Sequence, residues 1–136
     1  MTAIAQPLYA AHVEDDPEAD ARVALAALRR LAAAWRLTGD EAAALAGVSA
    51  RTWARMKAPG WSGRLGQDQL LRASGLVGLY KGLHLYFSDE LADAWPKRPN
   101  TGRVFAGRSP VAYMLAGGLP AILAARGYVD ALRGGA

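Results

Sequence analysis

The stretch from about Gln67 to Phe87 limits the possible folds more than any other part of this chain. It contains no proline. Wound as a helix, its Leu70, Leu71, Ala73, Leu76, Val77, Leu79, Tyr80 and Leu83 make it apolar over much of its circumference. A helix without a polar half does not lie on a surface, so this one belongs at the centre of a helical assembly. Gly75, Gly78 and Gly82 recur at spacings of three and four, which puts them on one face. Each glycine costs roughly 0.5–1 kcal/mol in a helix interior relative to alanine. Three of them on one face are accounted for by a second helix that approaches too closely for a β-carbon.

The flanking sequence supplies the surrounding helices. Asp16-Pro17 reads as an N-cap followed by a proline at the first helical position. The helix it opens runs to about Trp35, with Leu25, Leu28, Leu31, Ala32 and Trp35 on one stripe. Thr38 and Glu41 match a capping box, and Gly47 suits the left-handed end of the short helix they open. Ser49 caps a third helix, Ala50 to about Lys57, which Pro59-Gly60 stops. Residues 58–66 are rich in Gly and Pro and form the candidate boundary before the central helix. Ser88-Asp89 opens a short helix to about Trp95, and residues 96–108 form a loop in which Asn100 is a turn residue. Ser109-Pro110 opens a helix that Gly117-Gly118 closes. A last helix, from near Pro120 to about Arg133, turns Ile122, Ala125, Val129 and Leu132 inward. Trp95, Phe105 and Met114 read as core residues that fix the loop. β-branched residues are sparse and no stretch alternates apolar with polar, so the fold class is all-α.

Composition excludes several functions. There is no cysteine, which removes disulfides and thiolate metal sites. His12 and His84 are the only histidines, so a structural zinc site is not expected, and no cofactor is implied. No leader-like N-terminus and no membrane-length apolar run is present, so a cytoplasmic protein without a membrane partner is expected. The net charge of +4 is unevenly spread. Residues 1–20 hold five acids and no base; residues 21–64 hold eight bases and two acids; residues 65–136 hold eight bases and five acids. A basic segment behind an acidic tail suits a nucleic-acid binder, and it equally suits an arginine-rich composition with no such role. Enzymatic chemistry has little to stand on. His84 lies within the apolar central helix and reads as a satisfied core or interface histidine. Asp89, Glu90 and Asp93 read as favourable charge at a helix N-terminus. A non-enzyme is expected, with no catalytic residues and no metal ligands.

Residues 38–57, TGDEAAALAGVSARTWARMK, have the layout of a helix-turn-helix. Gly47 permits the turn, Val48 plugs the space between the helices, Ser49 caps the second helix, and Ala43 and Ala44 are small where the helices approach. In such motifs the second helix enters the major groove and its early residues reach base edges and phosphates. Here those are Ser49, Arg51, Thr52 and Arg55, whereas Trp53 reads as core. The other reading is a helical hairpin that only packs.

The C-terminal half contains Trp95, Pro99-Asn100, Phe105, Gly107, Ser109-Pro110, Met114, Gly117-Gly118 and the closing Arg126-Gly127-Tyr128-Val129-Asp130-Ala131-Leu132-Arg133-Gly134-Gly135. In that order, behind the helix-turn-helix, this resembles the Xre/MbcA/ParS antitoxins over about residues 21–136. Where the family often has Gln at the start of the first motif helix, Asp40 and Glu41 stand here, and carboxylates repel phosphate. Residues 1–16, acidic and without periodicity, read as a mobile tail, and the resemblance implies an Xre-like domain over 17–62 and a helical toxin-binding domain over 63–136. It implies an antitoxin whose partner is a RES-domain toxin protein that consumes NAD, with a homodimer and operator DNA as further partners. It sets the C-terminal region at or near the toxin's NAD pocket, and from their residue types Arg126, Tyr128, Asp130, Arg133 and the terminal Ala136 are the residues expected to meet the toxin. On the residues alone, Arg126, Asp130 and Arg133 also read as a solvated face of weak ion pairs. A stand-alone repressor is the other function that the motif allows.

Overall fold

A computed structural model of the chain describes residues 16–134. The tail over residues 1–15, with His12, and the terminal Ala136 lie outside the described residues. Seven α-helices follow one another, with no strand among the described residues: α1 (Pro17–Ala34), α2 (Gly39–Ala46), α3 (Ala50–Lys57), α4 (Gln67–Tyr86), α5 (Asp89–Ala94), α6 (Pro110–Gly117) and α7 (Leu119–Gly134). A single 3-10 turn, Trp95–Lys97, continues from α5.

The local signals act as the sequence predicts. Asp16 accepts the Ala19 N–H at 2.8 Å. Thr38 Oγ1 accepts from Glu41 N at 3.1 Å while Glu41 returns the bond to Thr38 N at 2.9 Å. Ser49 and Ser109 cap α3 and α6 by accepting from Thr52 N and Ala112 N at 3.0 Å. Gly47 ends α2 at φ +80°, a left-handed conformation that a β-carbon would disfavour. Two helix ends, both within a residue of expectation, have identifiable causes. α1 stops at Ala34, and Arg36 turns the chain at φ +55°. α5 stops at Ala94 because Pro96 has no N–H to continue the ladder, which tightens into the 3-10 turn.

α4 is the axis of the fold, with α1 on one side and α7 on the other. Leu76, Leu79 and Leu83 are fully buried. A β-carbon on Gly75 would lie 2.8 Å from Ile122 Cγ2, and one on Gly82 would lie 3.2 Å from Val129 Cγ1. The glycine face is thus a trough that admits α7, as its spacing predicts. One apolar core runs without a break from Leu25 through Trp53, Leu79 and Phe105 to Val129. Trp61 and Leu65, inside the Gly/Pro-rich stretch 58–66, pack against it.

Candidate functional site

α3 divides into two faces. Trp53 and Met56 are buried, Trp53 as predicted, and fasten the helix to the core. Arg51 and Arg55, one turn apart, are exposed and in no ion pair among the described residues. Ser49 and Thr52 are less free. The Ser49 hydroxyl accepts from Thr52 N and also donates to Thr52 Oγ1 at 3.0 Å. Of the four residues predicted to face nucleic acid, the two arginines have free donors, the Ser49 hydroxyl is committed to the cap, and the Thr52 hydroxyl accepts from Ser49. Sequence reasoning missed two further cations. Arg29 and Lys57 are exposed and, with Gly39 at the start of α2, line a groove of about 250 Å³. They come from different helices, so no spacing in the sequence joins them.

Of the two acids at the start of α2, Asp40 and Glu41, the second is held in an ion pair. Glu41 Oε1 lies 2.9 Å from Lys97 Nζ, which also donates to the Arg36 carbonyl at 3.1 Å. The backbone hydrogen bond from Thr38 holds the Glu41 carboxyl below its ordinary range against the cost of partial burial, and Lys97 adds to this pull. Glu41 therefore stays ionised with its charge offset, which weakens its repulsion of a phosphate.

The turn of the motif is clamped from α4. Gln69 donates to the Gly47 carbonyl at 3.3 Å, and Arg72 donates to the Ala44 carbonyl at 3.3 Å while Asp68 holds its guanidinium at 2.9 Å. These bonds cross the Gly/Pro-rich segment and join the motif rigidly to the central helix.

On α7 the structure brings Arg126, Asp130 and Arg133 together. Asp130 lies 3.1 Å from Arg133 Nη2 and 3.7 Å from Arg126 Nε, all three side chains being about two-fifths exposed. Arg126 also reaches the Ser74 carbonyl at 3.5 Å, across Gly78. Tyr128 is not with them. It lies on the opposite side of α7, half-buried in an aromatic cluster. Its ring stacks on Trp95 at 6.4 Å and meets Phe105 edge-on at 5.2 Å. Phe105 in turn meets Trp95 and Tyr113 at 5.5 and 5.3 Å. Asn100 folds the loop as predicted, accepting from Gly102 N at 2.8 Å.

Residues 16–78 match the antitoxin Xre-like helix-turn-helix domain. Over 113 residues the chain is 39% identical to "Uncharacterized protein y4oB" of Sinorhizobium fredii, a span of 82% of this chain and 84% of that one. The chain carries an antitoxin Xre-like helix-turn-helix domain. No solved structure matches it. The matched span reaches Gly78, inside α4, and so takes in the clamp residues Gln69 and Arg72. The glycine trough is shared, with Gly75 and Gly78 inside the matched span and Gly82 beyond it. The domain's cations face outward on α3, and α5 to α7 lie beyond its end. No helix among the described residues is long and apolar enough to cross a membrane.

Proposed function

We propose that this chain is the antitoxin of a toxin–antitoxin pair. It neutralises a RES-domain, NAD-consuming toxin by setting its C-terminal region against the toxin's active site. The Xre-like domain holds operator DNA and represses the chain's own operon. The antitoxin Xre-like match carries the reading, because it belongs to a class of regulator whose partner is a toxin. Two features support the assignment of roles. Arg51 and Arg55 stand unpaired on the exposed face of α3. Arg126, Asp130 and Arg133 form a compact charged edge on α7 that is open to a partner.

Truncation after Gly127 is a poor test of the second role, since it also removes the fully buried Val129 and takes Tyr128 from the aromatic cluster. Alanine at Arg126, Asp130 and Arg133 together leaves the core intact. That variant should keep its helical spectrum and fail to rescue cells that express the toxin encoded beside it. Interface hot spots contribute at least about 2 kcal/mol each, so affinity for purified toxin should fall by roughly 30-fold or more. A folded triple variant that protects fully would move the inhibitory contact to the loop 96–108.

The operator role has its own test. Arg51→Ala should weaken binding to the native promoter by about 1–3 kcal/mol, roughly 5- to 150-fold. Ser49→Ala should act on the stability of α3 more than on affinity, because its hydroxyl is spent on the cap. Equal promoter binding by Arg51→Ala and the parent would remove Arg51 from the interface.

A further inference from the structure

α5 is held by little apolar surface. Only Ala92 of its six residues is buried, and Leu91 is 45% exposed. So short a helix is not stable unaided. Besides Ala92, which is in the core, the side chain that ties it to α4 by polar contacts is His84. His84 Nδ1 lies 2.9 Å from Asp89 Oδ1, and His84 Nε2 lies 2.8 Å from Asp93 Oδ1. Both nitrogens therefore face carboxylates. The carboxylates stand on opposite sides of the ring and do not converge on one point as metal ligands would. No metal-holding group of three or more such side chains occurs among the described residues.

We infer that His84, Asp89 and Asp93 form a proton-dependent clasp that fastens α5 to the end of α4 and releases it as the pH rises. An imidazolium donates to both carboxylates at once; the charge-assisted bond to Asp93 is the stronger, because water screens the one to Asp89, whose side chain is 91% exposed. A neutral imidazole has one N–H. Its other nitrogen would then present a lone pair to a carboxylate oxygen less than 3 Å away, and one bond is lost.

The charges around the ring favour this assignment. On α4, Tyr80 stacks against His84 at 4.4 Å and Lys81 is exposed. Beside α5, Glu90 and Asp93 share a cleft of about 580 Å³ with Arg36 and Lys97, and Lys97 is bound to Glu41. On α7, Asp130 and Arg133 lie over Gly82 and pair with each other. Gly82 is two residues from His84, hence on the far side of α4. Asp89 and Asp93 are thus the charges in contact with the ring. Burial of the ring opposes its charge, but the hydrogen bonds and the attraction of these two acids outweigh it and hold His84 above its ordinary value of 6.5. With the folded value raised, the clasp's stabilisation is complete below 6.5 and is lost as pH rises through the folded value.

The test uses the full chain with His12→Gln throughout, so that one imidazole titrates. The His84 ring signal should titrate above 6.5 by NMR, and Asp93→Asn should lower that midpoint. Each tenfold gain in proton affinity on folding is a tenfold change in the folding equilibrium across the titration. Urea unfolding between pH 6 and 8.5 should show this loss in the parent but not in His84→Gln. Amide exchange at Ala92 and Asp93, corrected for intrinsic rates, should accelerate over the same range in the parent alone. A His84 midpoint at or below 6.5, or parallel pH profiles for parent and His84→Gln, would overturn the clasp. If His84→Gln does not fold, the ring titration in the parent and in Asp93→Asn decides.

Discussion

Phe105→Ala should destabilise the chain by about 3–5 kcal/mol, the range for removing a large buried aromatic. Phe105 is fully buried, and Trp95, Tyr113 and Tyr128 all meet its ring edge-on. Through its ring the 3-10 turn, α6 and α7 touch a common centre. The melting temperature should drop by on the order of 10–20 °C. Tyr128 fluorescence and aromatic NMR shifts should lose their cluster signature, because the loop that carries Phe105 has no other side chain inserted so deeply. A loss under about 1 kcal/mol would mean that the loop is not held by this ring.

The glycine trough yields a pair of opposite results. Gly75→Leu should cost about 3 kcal/mol, because its β-carbon alone would stand 2.8 Å from Ile122 Cγ2, and Ile122 is fully buried with nowhere to move. Gly78→Ala should be neutral or stabilising by roughly 0.5–1 kcal/mol. Its β-carbon would meet only the Arg126 guanidinium, the far end of a flexible chain that is 42% exposed and can swing into water. Thermal unfolding of the two variants checks both signs. If Gly78→Ala costs as much as Gly75→Leu, then Arg126 is held in place more firmly than its exposure implies.

The fold was legible wherever a signal is local. The caps at Asp16, Thr38, Ser49 and Ser109 and the left-handed Gly47 each depend on residues three or four apart. The trough was legible too, because three glycines in an otherwise apolar helix have few other uses. What escaped the sequence is tertiary. Nothing near Arg36 announces a left-handed residue. The Lys97–Glu41 pair and the grip of Gln69 and Arg72 on α2 join residues far apart in the chain.

The candidate site was legible in part for the same reason. Arg51 and Arg55 follow from position on the motif's second helix and are exposed there. Arg126, Asp130 and Arg133 share an edge because their spacing is helical. Tyr128 follows Ala121 and Ala124 at helical spacing, and a stripe of alanines gives no hint that loop aromatics will cover it. The sequence reading took Asp89 and Asp93 for charge at a helix start and left His84 without a named partner. Only the bend at Ser88, which folds α5 back on α4, brings the three together.

The trough also sets an order of events during synthesis. The side of α4 that receives α7 is translated by Tyr86, and its occupant is complete only at Arg133. At about 5–20 residues per second the ribosome needs roughly 2–10 s for the 47 residues from 86 to 133. Through that interval Leu76, Leu79 and Leu83 have no cover from α7 on a chain still tethered to its ribosome. The helix-turn-helix leans on the same α4 through Gln69 and Arg72. The motif and the residues that clamp it are complete before α7 is made, so the apolar side of α4 is the surface open to proteases and to other chains until α7 docks.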